Sequence, residues 1–463
     1  MATLIKNGKI VQSDKTFCAS MLIEGEKIIK ISEKLNEDGC DIIDAKGSYI
    51  FPGFIDTHTH FDLNTGTTKT ADNFYTGTKA AIAGGTTTIL DFATQDKNST
   101  LKKAYDVWTE KAEGNSFCDY GFHMAIVDYN DEIEKEMEEI VEIGISSFKL
   151  YMAYDALRVD DGCIYKALRK SKEIGAIIGF HCENGDIINA LIKESREREE
   201  KTPYFHPRSK PPEIEGEATE RVIAIADMVK APLYIVHVTC KESLSKIERA
   251  KSQGIVVYGE TCPQYLLLDI SMYGDKDDES FEGAKYVLSP PLREKKNQQI
   301  LWEGIKNNTI DFIGTDHCSF NFKGQKDLGF LDYSKIPNGV PGVEHRFSLI
   351  YTEGVTKNKI SINKMVEILS TNPAKFFGMY PLKGEILEGS LADIVIYDPE
   401  ENWTISSENQ HQNVDYTPYE GFDISGKIKH VFLRGNHVVN DGMITEKPLG
   451  KFVKRKKFNY IGK

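Results

Sequence analysis

From about residue 50 onward, the chain alternates short apolar, β-branched runs with longer amphipathic stretches. This alternation is typical of a parallel sheet whose strands are connected by helices. Eight runs are predicted to be strands: 49–57, 86–92, 120–127, 146–151, 176–180, 233–238, 255–258 and 310–314. Helices are predicted between them, at 71–83, 131–143, 163–174, 218–229 and 243–253. Eight strand–helix units over about 270 residues fit a (β/α)8 TIM-like barrel, which takes about 250 residues with some insertion.

The two ends of the chain have a different pattern. Residues 4–11 and 21–31, and near the other end 392–397 and 429–439, are strand-like runs with glycine turns. Short strands with turn signals predict a small β-sandwich, and neither end alone is large enough for a stable sheet. We therefore expect an α/β protein in three segments. Residues 1–52 and 380–463 would form the sandwich and a C-terminal tail, and residues 53–379 the barrel.

The charge of the chain excludes some classes of partner. A formal net charge of -13 over 463 residues does not suit nucleic acid or an anionic membrane, because a phosphate surface requires a basic stripe. The only dense basic run is 451–457, which we interpret as a solvated or subunit-contacting terminus. The first residues carry charge where a signal peptide needs an apolar stretch, and no run approaches a membrane span. We expect a cytoplasmic protein.

The eight cysteines form no CxxC pair. The spacing therefore indicates neither a disulfide framework nor a cysteine zinc site, and buried free thiols are expected.

Metal-binding residue types follow several of the predicted strands. In a barrel of this kind, functional residues gather at the C-terminal ends of the strands. His58 and His60 end the first strand, where alternation directs both imidazoles to one face. Further candidates end later strands: Lys149 the fourth, His181 the fifth, His237 the sixth, and Asp316 with His317 the eighth. A single histidine at a strand end is more often a packed core residue, but a series of them indicates a metal centre.

A pair of metal ions is a recurrent hydrolytic arrangement, because two cations can share a hydroxide and polarise a carbonyl. Four imidazoles and one carboxylate leave such a pair without a bridging anion. Lys149 would supply it if carbon dioxide carbamylated its amine, since the side chain then carries two anionic oxygens. Alone, Lys149 would be read as an ordinary salt-bridged lysine.

These residues belong to a larger ordered set of motifs, at 56–60, 148–154, 181–184, 237, 259–265 and 314–317. The set resembles the cyclic amidohydrolases of the amidohydrolase superfamily, specifically the dihydropyrimidinase and D-hydantoinase group. The resemblance covers nearly the whole chain, and residues 389–395 look like the C-terminal strand that returns to the sandwich in these proteins.

The resemblance implies a role for each candidate residue. Two divalent metal ions, with zinc expected, would be held by His58, His60 and Asp316 on one side and by His181 and His237 on the other, with carbamylated Lys149 bridging both. A bridging hydroxide would attack the ring carbonyl of a small cyclic amide, a dihydropyrimidine or a 5-substituted hydantoin, and release the N-carbamoyl amino acid. Asp316 would act as base and then acid, and Tyr154 would donate to the oxyanion. The resemblance also implies a homotetramer.

Two proline-bounded loops look like the substrate contacts of this group. They are 288–293, with Ser289, and 337–342, with Asn338. A cyclic imide has adjacent carbonyl and N–H groups, so backbone donors and acceptors at Ser289 and Asn338 could bind that edge. The sequence alone also allows two purely structural loops.

Three alternatives remain at this stage. Dihydroorotases carry an arginine just after HxH, whereas this chain continues with Phe61 and Asp62, which disfavours an anionic substrate. An allantoinase-type hydrolase stays open, because its substrate also contains a hydantoin ring. A non-catalytic scaffold of the same fold is disfavoured because all six candidate ligands are present. The polar, threonine-rich segment 62–70 leaves the substituent and stereochemistry of the substrate undetermined.

Overall fold

The computed structural model describes residues 2–278 and 280–458. Within them an eight-stranded parallel sheet curls into a nearly closed barrel, and a nine-stranded sheet is built from both ends of the chain. These two sheets confirm the predicted α/β barrel with a sandwich domain. Residues 1, 279 and 459–463 of the predicted segments lie outside the described residues, and the segment boundaries stay a prediction.

The strands fall into three groups along the chain. The first five belong to the sandwich: β1 (Ala2–Val11), β2 (Thr16–Glu24), β3 (Lys27–Ser32), β4 (Cys40–Asp44) and β5 (Tyr49–Pro52). The next eight form the barrel: β6 (Phe54–Thr59), β7 (Thr86–Thr94), β8 (Asp119–Ala125), β9 (Ser147–Tyr151), β10 (Ile177–His181), β11 (Leu233–Ile235), β12 (Val257–Thr261) and β13 (Phe312–Ile313). The last four return to the sandwich: β14 (Ile394–Thr404), β15 (Asp423–Leu433), β16 (Asn436–Asn440) and β17 (Met443–Ile444).

Helices connect the barrel strands. They are α1 (Phe74–Ala83), α2 (Leu101–Ala112), α3 (Asp131–Ile143), α4 (Asp161–Ile174), α5 (Gly185–Glu197), α6 (Pro212–Val229), α7 (Lys241–Ser252), α8 (Pro263–Leu267), α9 (Lys296–Lys306), α10 (Arg346–Ile350), α11 (Ile362–Val366) and α12 (Asn372–Phe376). The prediction for α3 is confirmed at both ends. Asn130 caps its first turn and Gly144, with φ of 108°, ends it in a left-handed conformation that glycine adopts without strain.

One predicted strand was wrong. The run 49–57 is two strands, β5 in the sandwich and β6 in the barrel, and the chain changes sheets at Gly53. A Cβ atom at residue 53 would lie 2.1 Å from the hydroxyl oxygen of Thr87, so only glycine lets the backbone pass there. The uninterrupted apolar pattern hid this change, because both halves are buried.

Hydrogen bonds close the barrel between its first and last strands. The backbone N–H of His60 donates to the carbonyl of His317 at 2.8 Å. Buried Asp56 accepts from both the backbone N–H and the hydroxyl of Thr315, at 3.0 and 2.7 Å. These bonds bring the C-terminal ends of β6 and β13 together, which places His58, His60 and Asp316 side by side.

The sandwich packs beside the barrel and is joined to it through buried charges. Antiparallel pairing of β14 with β5 joins the two ends of the chain. The Lys383 ammonium lies between the carboxylates of Asp119, the first residue of β8, and Asp393, and Arg434 also contacts Asp119. Because Asp119 begins a barrel strand, this network lies at the N-terminal end of the barrel.

The basic segment 451–457, interpreted from its charge as a solvated or subunit-contacting terminus, packs against the barrel of its own chain. Its backbone bonds to Tyr120 and Gly144 of the barrel, and the side chain of Arg455 is buried, donating to the hydroxyl of Ser147 at 2.9 Å. The pattern of charge gave no sign of these contacts, which use backbone groups and one arginine among exposed lysines.

The described cysteines are all free thiols, five of them buried, as expected from their spacing. Among the described residues, no helix has the length and apolar character needed to cross a membrane.

Candidate metal centre

Six predicted ligands lie near the C-terminal ends of the barrel strands. His58 is in β6 with His60 just after it, Lys149 is in β9 and His181 ends β10, while His237 and Asp316 follow β11 and β13. All six are buried or nearly so. The structure thus brings together residues as far apart in the sequence as His58 and Asp316.

Three of these side chains converge on one point. Oδ1 of Asp316 lies 3.1 Å from Nε2 of His58 and 3.2 Å from Nε2 of His60. One ligand atom from each of the three residues lies within 4.8 Å of the other two, a spacing that suits a metal ion. The buried Nδ1 of His60 has no hydrogen-bond partner in the described part of the chain. Two imidazoles and one carboxylate are a donor set for a divalent transition metal.

The charges in this cluster favour a cation. Burial alone would lower the pKa of His58, but the carboxylates of Asp316 and Glu260 raise it to about 9. Burial lowers the pKa of His60 to about 4 against the pull of Asp316. Burial opposes ionisation of Asp316, yet His58 holds its pKa well below the usual value. A metal ion would replace the proton shared by these groups.

Glu260 orients His58, and the sequence reasoning gave it no role. Its carboxylate lies 2.6 Å from Nδ1 of His58 and accepts from the hydroxyl of Thr57 at 2.7 Å. With the Nδ1 proton directed at this carboxylate, Nε2 of His58 faces the cluster. Glu260 stands in the 259–265 motif, but its spacing from the histidines gave no sign of this contact.

His181 and His237 form a second pair. Nδ1 of His181 lies 2.9 Å from Nε2 of His237, and Nε2 of His181 donates to Glu183 at 2.8 Å. Burial would raise the pKa of Glu183, but Lys210 and His181 lower it to about 2, so the carboxylate can only accept. Nδ1 of His181 therefore presents a lone pair. Burial lowers the pKa of both histidines, which keeps them in the neutral form that binds metals.

Lys149 lies among these groups without an ion-pair partner. Its Nζ is 4.9 Å from the ring centre of Phe92 and 5.3 Å from that of Tyr151. In the described part of the chain, no carboxylate lies within 4.0 Å of this ammonium. Burial lowers the pKa of Lys149 to about 8, although Asp316 and Glu260 act in the opposite direction. An amine with this pKa is partly unprotonated near neutral pH and so available as a nucleophile.

Three of the predicted site residues have a left-handed backbone conformation, which residues other than glycine rarely adopt. The φ angles are 67° at Tyr154, 40° at His237 and 53° at Asp316. Such conformations cost about 1–3 kcal/mol each and gather at functional sites. Their occurrence in three candidate residues is an independent sign of a functional site.

Tyr154 lies beside the second pair of histidines. Its ring centre is 5.2 Å from that of His181. The buried ammonium of Lys210 donates to Ser289, lies 3.7 Å from Glu183 and is 5.4 Å from the ring of Tyr154. Lys210 was missed by the sequence reasoning, because it lies in a loop with no motif around it.

Asn338 has an unused polar atom. Its Oδ1 is buried and has no hydrogen-bond partner among residues 2–278 and 280–458, although the residue is partly exposed. The loop that carries it is bonded to the Ser289 loop through Gly339 N–H and the carbonyl of Val287, at 3.0 Å. The two predicted substrate loops are therefore neighbours in space.

His317 lies outside the cluster despite following Asp316. Its Nε2 donates to Asp72 at 3.1 Å, and its Nδ1 accepts from the backbone N–H groups of Gly342 and Val343, at 3.1 and 3.2 Å. All the polar capacity of the ring is used, so His317 is a structural residue.

Asp62 has its charge neutralised within its own loop. Its carboxylate pairs with Lys69 and accepts from the N–H of Phe74 at the start of α1. An anionic substrate is therefore disfavoured by the missing arginine and not by the charge of Asp62.

Comparisons with known proteins agree with this geometry. The sequence pattern described as the Amidohydrolase family matches residues 49–438. A D-hydantoinase of Geobacillus stearothermophilus is 47% identical over 464 residues, covering 100% of this chain and 98% of the relative. The chain belongs to the amidohydrolase family.

Further similarity places this amidohydrolase in the predicted group. A D-hydantoinase of Ralstonia pickettii is 44% identical over 99% of this chain and 100% of its own. The crystal structure of a dihydropyrimidinase from Brevibacillus agri superposes with a TM-score of 0.97 at 47% identity, covering 99% of this chain and 100% of the other. The resemblance to the dihydropyrimidinase and D-hydantoinase group is confirmed.

Amidohydrolases depend on metal ions, and the residues present here fit that requirement. The donor atoms of His58, His60 and Asp316 already converge, and in the second, neutral pair Nδ1 of His181 faces Nε2 of His237. The assignment of individual ligands, the identity of the metal and the state of Lys149 stay predictions.

Proposed function

We propose that this amidohydrolase opens the ring of a cyclic amide or imide, a dihydropyrimidine or a 5-substituted hydantoin, to give the N-carbamoyl amino acid. One observation carries the proposal: His58, His60 and Asp316 converge next to a second histidine pair and Tyr154, at the end of the barrel where active sites form. The names of the relatives, D-hydantoinase and dihydropyrimidinase, support the substrate class.

The metal ions, with zinc expected, would be two. His58, His60 and Asp316 would hold one, His181 and His237 the other, and carbamylated Lys149 would bridge them. The buried position of Lys149, its lowered pKa and the absence of an ion-pair partner among the described residues support its reaction with carbon dioxide. When bound, the metals would supply a hydroxide nucleophile at neutral pH and polarise the scissile carbonyl.

The protein's own groups would handle the proton and the developing charge. The lowered pKa of Asp316 keeps it a carboxylate, ready to take the proton of the nucleophile and to pass it to the leaving ring nitrogen. Burial raises the pKa of Tyr154 well above its usual value, so its hydroxyl stays protonated and can donate to the oxyanion.

The substrate would be oriented by the two neighbouring loops. Backbone groups at Ser289 and Asn338 would bind the adjacent carbonyl and N–H groups of the imide edge. The buried, unpartnered Oδ1 of Asn338 is one further acceptor for a ring N–H.

A panel of rings tests the proposal. The protein, prepared with added zinc and bicarbonate, should open dihydrouracil, hydantoin or 5-phenylhydantoin, and the Asp316→Asn variant should not. Preference for allantoin would favour the allantoinase-type alternative. No turnover of any ring by metal-loaded protein would contradict the proposal and favour a non-catalytic scaffold.

Labelling tests the proposed modification of Lys149. Protein loaded in ¹³C-bicarbonate should show a carbamate signal that is absent from the Lys149→Ala variant.

We also propose a homotetramer, as the resemblance implies, and light scattering of the purified protein would measure its mass in solution.

A further inference from the structure

Lys326 is a fully buried lysine outside the metal centre. It stands in the segment between Asp316 and the Asn338 loop, and its exposed fraction is 0%. Among the described residues, no carboxylate lies within 4.0 Å of its ammonium. A buried ammonium without a counter-charge is energetically unfavourable, so its presence requires compensating hydrogen bonds.

Three backbone carbonyls surround this ammonium. Nζ of Lys326 lies 2.7 Å from the oxygen of Val287, 2.8 Å from that of Pro337 and 2.7 Å from that of Gly339. Pro337 and Gly339 flank Asn338 on both sides, and Val287 stands two residues before Ser289. One side chain therefore joins the two loops that carry the proposed substrate contacts.

The number of hydrogen bonds at Lys326 is the number that a charged lysine can donate. An ammonium group has three N–H donors and no acceptor, which matches three carbonyl oxygens. An apolar side chain in its place would leave those carbonyls buried with fewer partners. Gly339 N–H and the Val287 carbonyl also bond to each other at 3.0 Å, so the ammonium reinforces a junction that already exists. Burial lowers the pKa of Lys326 to about 7, whereas the three carbonyl acceptors favour the protonated ammonium.

We propose that Lys326 is a positioning residue for substrate, which holds the Ser289 and Asn338 loops at the spacing required by the carbonyl and N–H edge of the ring. This inference rests on the proposed function of the site. Lys326 touches neither the metal ligands nor Tyr154 through any hydrogen bond, so its effect should be on substrate binding and not on the metal centre.

The Lys326→Met variant tests the proposal, because methionine is apolar and of similar length but lacks the donors. With hydantoin as the substrate, we expect KM to rise about ten- to hundredfold while kcat changes much less, since loop displacement weakens binding of the ring edge. The bound metal per chain should equal that of the wild type. The Lys326→Gln variant, which keeps one N–H donor group, should show a smaller rise in KM.

Lys383→Met is the matched control, because Lys383 is also buried but lies between Asp119 and Asp393. It should lower thermal stability and leave KM unchanged. A double-mutant cycle with Asn338→Ala separates positioning from general destabilisation. If Lys326 acts through the Asn338 loop, the double variant should raise KM by clearly less than the product of the single effects.

The outcomes distinguish this inference from the proposed function. The positioning role would be overturned if Lys326→Met had the kcat and KM of the wild type. It would also be overturned if the effects of Lys326→Met and Asn338→Ala on KM simply multiplied in the double variant. Either result would leave the proposed function intact. A wild-type protein that opens no ring would overturn both.

Discussion

At the N-terminal end of the barrel, the ammonium of Lys383 lies between the carboxylates of Asp119 and Asp393, whereas at the C-terminal end the ammonium of Lys149 has no carboxylate within 4.0 Å among the described residues. Both lysines are buried. Lys383 therefore has its charge neutralised by the fold itself. The amine of Lys149 is not neutralised in this way and is available to react or to bind a ligand. Such a group is expected at the C-terminal end of the barrel, where active sites form.

The same contrast holds for the neighbouring polar groups. Asp119 is bound on several sides, by Lys383, by Arg434 and by the backbone of Lys451. At the other end, Nδ1 of His60 and Oε1 of Glu183 are buried and have no hydrogen-bond partner among the described residues. Two buried polar groups are therefore left unsatisfied where we propose that metal and substrate bind.

The largest effect on activity is expected for Lys149→Ala. If carbamylated Lys149 bridges two ions, as we propose, the variant cannot hold both, so ring opening should be abolished in a hydantoin hydrolysis assay. A short carboxylic acid added to the variant should restore part of the activity by supplying the missing oxygens. Full activity of the variant without any addition would refute the bridging role.

Tyr154→Phe should lower kcat by about 10²- to 10³-fold, because it would remove the hydroxyl that we propose as a donor to the oxyanion. Steady-state kinetics with hydantoin would measure this change. Tyr397→Phe is the matched control, since Tyr397 is buried in the sandwich and its hydroxyl contacts the carbonyl of Ser425. An effect of Tyr154→Phe on KM alone would indicate ground-state binding instead.

Glu260→Gln should lower metal affinity or activity by about 10- to 100-fold, as expected when a residue that orients a metal-binding histidine is changed. The amide keeps the size of the side chain but removes the charge that acts on His58. Titration with zinc would measure the affinity. An unchanged affinity would show that the contact with His58 is structural only.

Lys383→Met should have the smallest effect on catalysis. Removing one partner of a buried ion-pair network destabilises a protein by about 3–5 kcal/mol, which denaturant unfolding would detect. The value of kcat/KM in the folded fraction should match that of the wild type. A large loss of activity would show that the two ends of the barrel are coupled, and that the N-terminal end does more than stabilise the fold.

Much of this organisation could be predicted from the sequence. The alternating pattern indicated eight barrel strands, and α3 was predicted at its observed ends. The pattern did not reveal the change of sheet at Gly53, because the strands on both sides are buried and apolar. Hydrophobicity reports burial and not the sheet to which a strand belongs.

The candidate site divides in the same way. Strand-end histidines carry a recognisable pattern, so His58, His60, His181 and His237 could be picked out from the sequence. Lys210 and Lys326 could not, since each acts through contacts with loops distant in sequence. Such contacts depend on the tertiary structure and produce no recognisable local pattern in the sequence.

The central claim is that Lys149 completes a centre for two metal ions. Elemental analysis of metal per chain, for wild type and Lys149→Ala both loaded with zinc and bicarbonate and then freed of unbound metal, tests it most directly. The account predicts two equivalents in the wild type and at most one in the variant. Two equivalents in the variant, or no more than one in the wild type, would contradict it.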